Sequence, residues 1–577
     1  MRRTAAVTAV VIGLCAPATA MAADSSIHDP ARARLAKRLD AAGGTVSRIE
    51  NFGISLHDLN GFPAIVVARD ATLEDLSLSL PSLVRETKPG VWEIARTIFV
   101  VNDATLRLHT PRVRELRLLS SPGGFASLIG YNGSLSFRGG AGRKLLVHSW
   151  DPHRRAADRT LRDGRASVSV RRKGRLDALN TAFEDLGFYE GRVSGVAIVA
   201  PRWSGAGTGS FVSSRFARNW FGGYTYHARG VNWVGNEFVH NYEYGLDPHD
   251  DSDEFLVEGN YAAYNGKHGI IFSRDCDRNI IRRNIAEYNG WHGIVLDDGK
   301  KADGPSNGNR VYGNVIRGNR RVGVSVDGSS RNDIHGNNIS GSRFGIRLFG
   351  PSRRNRARGN TISDASIAAI FVDHPSADNS VRANEIVRGW TGVRVRGAAR
   401  TLIADNRIAD VRSHGVKIEG DARWRPSGVA VRDNTIQGSG PSPILVDVPG
   451  NVRLELGPNT EDWNYPIAHD LARLLAWTVG PGLWLVLFGV ALCGGLGFAT
   501  VQRVRGWRRA IFVDRDRGSV IHAREISRTG SSEMRIPVDP RVNGSESANN
   551  VDVENGDPWV QVMKSLARAL RRGELDV

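Results

Sequence analysis

The stretch YGLDPHDDSD, residues 244 to 253, gathers a tyrosine, several acids and a histidine around one proline. A histidine titrates near neutral pH and can remove a proton as a general base, and a neighbouring carboxylate can orient it. Proline is disfavoured inside helices and in strand interiors, so ordinary secondary structure does not explain this composition. Whether these groups can act together depends on the direction of each side chain, which the surrounding repeats define.

An asparagine followed two positions later by an apolar residue recurs through the centre of the chain at intervals of 22 to 30 residues. These asparagines are Asn236, Asn260, Asn284, Asn314, Asn337, Asn360, Asn384, Asn406 and Asn434. After each of the first eight, a short element with alternating apolar residues follows, which is the pattern of a half-buried strand. Short strands repeated about every two dozen residues, with no helix between them, predict an all-β fold, a right-handed parallel β-helix over residues 72–455.

In this fold each repeat forms one coil, and coils stack at about 4.8 Å. The asparagines are expected in the turns, where they tolerate left-handed conformations and can stack as amide ladders. Apolar positions such as Leu246 and Pro248 point into the core, so Asp247 and His249 must point outward.

The repeats also bring outward residues of neighbouring coils together. The coil before places Tyr224 and Tyr226 beside Asp247 and His249, and the next two place Ser273 and Asp297 in register with His249. Tyr244, His268 and His292 form a second row, and Arg274 falls near Asp250. Each feature has a structural explanation, such as an ordinary ion pair between Asp250 and Arg274 or a solvated histidine stack. Their convergence over three or four coils favours a functional groove.

Later coils direct a cationic strip outward, which suits a polyanionic chain lying in that groove. The strip consists of Arg347, Arg394, Arg396 and Lys417. The formal net charge of +17 also suits an anionic partner, although charge alone does not choose among nucleic acid, acidic lipid and acidic polysaccharide. Of three cysteines only Cys276 lies in the solenoid, which excludes a disulfide framework and a cysteine-rich zinc site.

The motif YGLDPHD, followed one coil later by KHGIIFSR, resembles the signature of the mannuronan C5-epimerases of alginate biosynthesis. The upstream segments GRLDALNTAFEDLGF and FGGYTYHARG support the resemblance, which runs from about residue 149 to 450. Those enzymes are parallel β-helix proteins that convert β-D-mannuronate to α-L-guluronate within the polymer. The sequence departs from the family at Asp251, where arginine is common, and in the apolar segment near its C-terminus.

The resemblance implies a role for each motif residue. His249 would be the base, Arg274 would neutralise the substrate carboxylate, Asp247 would be the essential motif acid, and Tyr244 would take part in proton transfer. Candidate substrate-binding residues are Tyr226, Asp250, Lys267, His268, His292 and Asp297. The implied substrate is an anionic polysaccharide such as polymannuronate, and no nucleic acid partner is expected.

This chemistry is consistent with the residue types. A uronate C5 proton is hardly acidic until a fixed cation stabilises the developing enediolate, a base takes the proton and a donor returns one to the opposite face. No metal or redox cofactor is needed, and the sequence has neither an EF-hand pattern nor calcium-binding repeats. Two alternatives remain open: a polyuronate lyase with the same first step, and a non-catalytic protein that binds an exopolysaccharide or guides its secretion.

The two ends of the chain predict export and a membrane anchor. Residues 1–23 have the basic start, apolar run and small residues of a signal peptide, and residues 24–71 form an N-terminal segment in which ARARLAKRLDAA is a capping helix. Residues 474–501 carry no charge and predict a transmembrane helix; the arginines that follow place the partly disordered tail, 502–577, in the cytoplasm. The solenoid is therefore expected outside the cytoplasm, anchored in the cytoplasmic membrane, with exopolysaccharide synthesis or export machinery as a possible partner.

Overall fold

The computed structural model describes residues 53–59, 61–162, 164–189, 193–299, 304–450 and 452–465. It also describes the helical residues 37, 38, 41 and 42 and the backbone of residues 511–514 and 519–522. The first unit, Met1–Ile467, holds a β-solenoid of three long sheets. Almost all strand pairs in them are parallel and join one coil to the next, which confirms the predicted parallel β-helix.

The first sheet has 16 strands and carries the motif. Its strands are Ile54–Asp58, Pro63–Val67, Ile98–Val100, Leu128–Tyr131, Val168–Arg171, Gly195–Val199, Phe221–Tyr226, Leu246–His249, Ile270–Ser273, His292–Asp297, Val322–Asp327, Phe344–Phe349, Ala368–Val372, Thr391–Arg396, His414–Glu419 and Ile444–Asp447.

The second sheet has 15 strands. They are Ala71–Thr72, Thr105–His109, Ser134–Arg138, Arg175–Leu179, Thr208–Val212, Asn232–Val234, Leu256–Glu258, Ile280–Arg282, Arg310–Tyr312, Asp333–His335, Arg356–Arg358, Ser380–Arg382, Leu402–Ala404, Val429–Arg432 and Leu454–Leu456.

The third sheet has 18 strands and includes three short antiparallel pairs near its N-terminal end. They are Val84–Lys88, Val91–Ile94, Glu115–Ser121, Gly124–Phe125, Leu145–Asp151, Ala156–Ala157, Thr181–Glu184, Arg215–Ala217, Glu237–Val239, Tyr261–Ala263, Ile285–Glu287, Val315–Arg317, Asn338–Ser340, Thr361–Ser363, Glu385–Val387, Arg407–Val411, Thr435–Ser439 and Thr460–Asn464.

One continuous apolar core runs inside the coils from Ile65 to Ile436. The helix Leu73–Ser79, which the sequence pattern did not predict, buries Leu73 and Leu76 in this core, and its N-terminus is closed by a capping box between Thr72 and Asp75. A 3₁₀ turn spans Arg202–Ser204.

The predicted asparagine ladder is present and fully buried. Each Nδ2 from Asn236 to Asn406 donates to the Oδ1 of the next asparagine at 2.9 to 3.0 Å, so every amide serves two coils. The left-handed turn residue is not the asparagine but the one before it, for example Gly259 or Arg283, because the asparagine side chain must point inward to bond its neighbour. Two further ladders, from Asn241 to Asn319 and from Asn279 to Asn379, were not predicted.

A second apolar cluster covers the outer face of the first sheet at its N-terminal coils. It joins Phe99, Ile129 and Tyr131 of the sheet to Phe188 and, from the N-terminal segment, Ala42. On the strand Phe221–Tyr226, one coil before the motif, the outward side chains of Tyr224 and Tyr226 are partly exposed.

The second unit, Ala468–Val577, contains the antiparallel pair Ile511–Asp514 and Ser519–His522. No helix within the described residues is long and apolar enough to span a membrane. The predicted span at 474–501 and the predicted signal peptide lie outside those residues.

Candidate functional site

Strand register aligns the candidate residues in rows across the first sheet. Tyr224 pairs with Asp247 and Tyr226 pairs with His249. His249 in turn pairs with Ser273, and Ser273 pairs with Asp297. These are the neighbours that the repeat alignment predicted, because the spacing of the coils fixes the register of the strands.

His249 ends its strand and forms a close contact with the next residue. Its Nδ1 lies within hydrogen-bond distance of Asp250 Oδ2, which leaves Nε2 as the ring nitrogen for other chemistry. Burial lowers the pKa of His249, but the hydrogen bond to Asp250 and the charges of Asp247 and Asp250 raise it by more, so the pKa lies above the ordinary 6.5. The Tyr224 ring centroid lies 5.8 Å from that of His249.

Arg274 occupies the corner one coil beyond Asp250. Arg274 and Asp250 both have a left-handed backbone, with φ of +68° and +37°. The Arg274 Nη1 lies 3.9 Å from Asp250 Oδ2, so one carboxylate contacts both the histidine and the arginine. Gly299 (φ +63°) makes room for this arginine, because a Cβ there would lie 2.4 Å from Arg274 Cγ and 2.6 Å from Nε.

Asp247 is much more enclosed than an outward-facing position suggests. Only 1% of its surface is exposed, compared with 6% for Asp250 and 5% for Ser273. An outward direction on this sheet therefore does not mean exposure to solvent. The His249 side chain is itself only 19% exposed.

Tyr244, His268 and His292 form the predicted second row, at or just before the start of their strands. The ring of Tyr244 stacks between Phe221 and His268, with centroids 5.1 Å apart on each side. The strand begins at Leu246 and ends at His249, and Tyr244 precedes it by two residues. Tyr244 therefore belongs to an aromatic stack before the start of the strand, whereas His249 lies at its end.

The two histidines of this row stack on each other with centroids 4.9 Å apart. Burial, with the charges of His292 and Lys267, holds the pKa of His268 well below its ordinary value. Burial and the charges of Arg321 and Arg347 lower the pKa of His292 to about 3. Both rings are therefore neutral at physiological pH, and the Nδ1 of each is buried without a hydrogen-bond partner among the described residues.

Several predicted cations are paired with acids that the sequence reasoning missed. Lys267 Nζ lies 2.6 Å from Glu243 of the preceding coil. Asp373 contacts both Arg347 and Arg396 at 2.9 Å, and Glu419 contacts Arg394 and Lys417 at 2.6 Å. The strip points outward as predicted, but it is largely neutralised. Each acid lies about one repeat from a partner, so aligning acids as well as bases would have found them.

Asp297, two coils beyond His249, belongs to a group of carboxylates. Oxygen atoms of Asp297, Asp298 and Asp327 lie within 4.8 Å of one another, a geometry that could hold a metal ion and that sequence reasoning did not identify. Burial raises the pKa of Asp297, and burial together with the charge of Asp297 raises the pKa of Asp298 to about 6.

Two family models match parts of the solenoid. Residues 304–439 match the family described as periplasmic copper-binding protein (NosD), and residues 249–339 match the right handed beta helix region.

Curated relatives match about a third of the chain. The mannuronan C5-epimerase of Pseudomonas syringae pv. tomato is 30% identical over 216 residues, which are 35% of this chain and 38% of that protein. The chain is homologous to mannuronan C5-epimerases. The epimerase of Pseudomonas aeruginosa is 28% identical over 202 residues, 33% of this chain and 35% of that protein. The chain thus spans less than two fifths of the length of these epimerases. A solved structure, the periplasmic alginate epimerase AlgG, is 22% identical with a TM-score of 0.49, covering 70% of this chain and 85% of that one.

Proposed function

We propose that the β-helix catalyses C5 epimerisation of β-D-mannuronate to α-L-guluronate within alginate or a similar polyuronate. The observation that carries the proposal is the contact of one buried carboxylate, Asp250, with both His249 and Arg274 on the open face of the first sheet. The similarity to mannuronan C5-epimerases supports polymannuronate as the substrate.

In the proposed first step, His249 Nε2 takes the C5 proton. Asp250 holds the opposite ring nitrogen and supports the positive charge that the imidazole gains, as an orienting carboxylate does for other catalytic histidines. Arg274 pairs with the substrate carboxylate, so the electron pair left at C5 delocalises into an enediolate that faces a fixed guanidinium. Asp247 adds to the field that keeps His249 basic.

The second step decides between an epimerase and a lyase. If a proton reaches C5 from the opposite face, the product is guluronate. If the 4-linked sugar leaves instead, the chain is cut and an unsaturated uronate end remains. The lyase shares every residue of the first step, so the products distinguish the two reactions.

Incubation of polymannuronate with the protein in deuterated water tests the proposal. Wild type is expected to introduce deuterium at C5 as guluronate appears in the proton NMR spectrum, and His249→Asn is expected to introduce almost none. Unsaturated uronate ends would establish the lyase. Polymer binding with no exchange at C5 would establish a non-catalytic binding protein.

We further propose that the solenoid works outside the cytoplasm and is held at the membrane by residues 474–501. The charge pattern at both ends of the chain supports this topology. Reporter fusions after Asn451 and after Asp557 should lie in opposite compartments. The same compartment for both reporters would contradict the single span.

A further inference from the structure

The proposed reaction needs a proton donor as well as a base, and three tyrosines surround the motif. An acid and a base that address opposite faces of one carbon each approach it to about 3 Å, so they should lie about 6 Å apart. That distance is a geometric filter for the donor.

Tyr224 lies close enough to His249 to be considered for this arrangement. Its ring centroid lies 5.8 Å from that of His249, and the two planes are tilted by 42°, so the rings are not stacked on each other. Tyr224 pairs with Asp247 on the neighbouring strand, which makes it a diagonal neighbour of His249 on the same sheet face. The phenol and the imidazole therefore border the same part of this sheet face.

The other two tyrosines fit less well. Tyr244 stacks between Phe221 and His268, just before the strand that ends at His249. Tyr226 is directly opposite His249 in the register, and its phenol lies within electrostatic reach of Arg202.

We propose that Tyr224 is the catalytic acid that returns a proton to C5 on the face opposite His249, and that it thereby directs the enediolate to guluronate rather than to chain cleavage. This inference rests on the proposed function. The C5–H bond breaks with its proton going to His249 and its electron pair to the carboxylate. The new C5–H bond forms as that pair returns and the Tyr224 O–H bond breaks. Transfer of a proton from the His249 imidazolium, directly or through water, then restores the phenol.

The surroundings of Tyr224 suit this role. Burial, with the charges of Asp247 and Asp250, raises the pKa of Tyr224 above its ordinary value, so the phenol stays protonated at physiological pH. The same carboxylates disfavour the phenolate formed in the second step and favour its rapid reprotonation. Gly223 positions the strand beneath it, because a Cβ there would lie 2.7 Å from the fully buried Trp233 ring.

The test compares deuterium entry with inversion at C5 in deuterated water. Without its acid, the enzyme can still form the enediolate and return a deuteron from the His249 side. Tyr224→Phe is therefore expected to incorporate deuterium into residual mannuronate while guluronate formation falls, so that the ratio of exchange to inversion rises at least tenfold. Unsaturated ends should also increase. Tyr264→Phe, an exposed tyrosine at the corner of the third sheet, is the matched control and should keep the wild-type ratio.

Each outcome is decisive. A Tyr224→Phe protein with the wild-type melting temperature and the wild-type ratio would overturn the assignment, as would equal losses of exchange and inversion, which indicate positioning alone. If Tyr244→Phe alone raises the ratio, Tyr244 is the donor instead. Wild-type protein that shows no exchange would overturn the proposed function together with this inference. If wild type shows exchange with inversion, the proposed function stands, and the Tyr224→Phe result then tests the role of Tyr224 alone.

Discussion

The Nδ1 of His249 lies within hydrogen-bond distance of Asp250 Oδ2, and the guanidinium of Arg274 lies on the same carboxylate oxygen at 3.9 Å. Asp250 is 6% exposed, so solvent screens these charges only weakly. The carboxylate raises the basicity of the imidazole while it positions the arginine, which couples the two groups needed to remove a proton beside a carboxylate.

The pH dependence of activity should report this contact. His249 must be neutral to accept a proton, and its pKa lies above 6.5, so kcat/KM should rise with pH through that raised pKa and be lost below it. Asp250→Asn removes the charge that raises the pKa, so the rising limb should move to lower pH while the maximal rate falls. His268 and His292 contribute nothing to this limb because their pKa values are depressed. An unchanged limb in Asp250→Asn would show that another group titrates.

Arg274→Lys tests whether the arginine stabilises the enediolate or only pairs with Asp250. Lysine keeps the charge but loses the fixed planar fork. Turnover should fall by about a hundredfold or more, the range found when a transition-state donor is removed, with little change in the melting temperature. A loss of folding in Asp250→Asn together with normal turnover in Arg274→Lys would show that the pair is structural.

The repeat pattern was sufficient to predict the fold and the rows of the site, because a solenoid converts residue number directly into position. Tyr224, Asp247 and His249 became neighbours through spacing alone. The 1% exposure of Asp247 could not be predicted in this way, since burial depends on side-chain packing that the spacing of the repeats does not specify.

The repeat pattern of apolar and basic residues also did not predict the ion pairs of the cationic strip or the one short helix. The strip of Arg347, Arg394, Arg396 and Lys417 was identified from bases only, and its neutralisation by Asp373 and Glu419 depends on side-chain geometry. The helix Leu73–Ser79 was not predicted because it is a single short, capped element that does not recur in the other coils.

The stability of the solenoid should depend on its asparagine ladder. Asn284 is fully buried, donates to Val257 O at 2.9 Å and to Asn314 Oδ1 at 3.0 Å, and accepts from the side chain of Asn260 at 2.9 Å. Asn284→Ala leaves several of these groups unpaired and should lower the free energy of unfolding by about 3 kcal/mol or more, since each buried unpaired group costs about 1–3 kcal/mol. Urea denaturation followed by circular dichroism measures this. The exposed Asn338→Ala should cost less than about 0.5 kcal/mol, and equal losses in both variants would argue against the ladder.

Gly299 offers a way to displace Arg274 without changing any charged group. At φ +63° its added Cβ would fall 2.4 Å from Arg274 Cγ, a part of the side chain that cannot move without carrying the guanidinium with it. Gly299→Ala should therefore shift Arg274 away from Asp250 and reduce turnover by about tenfold or more, because misplacement by about 1 Å costs up to a hundredfold in rate.

Gly336→Ala is the matched control for this variant. Gly336 has nearly the same backbone, with φ +60°, but a Cβ there would meet nothing within 4 Å. Both variants carry the cost of alanine in a left-handed conformation, about 1–2 kcal/mol, so both melting temperatures should fall by similar amounts. Only Gly299→Ala should lose turnover and substrate affinity at a temperature where both are folded. If the two variants retain equal turnover, the position of Arg274 does not limit the reaction.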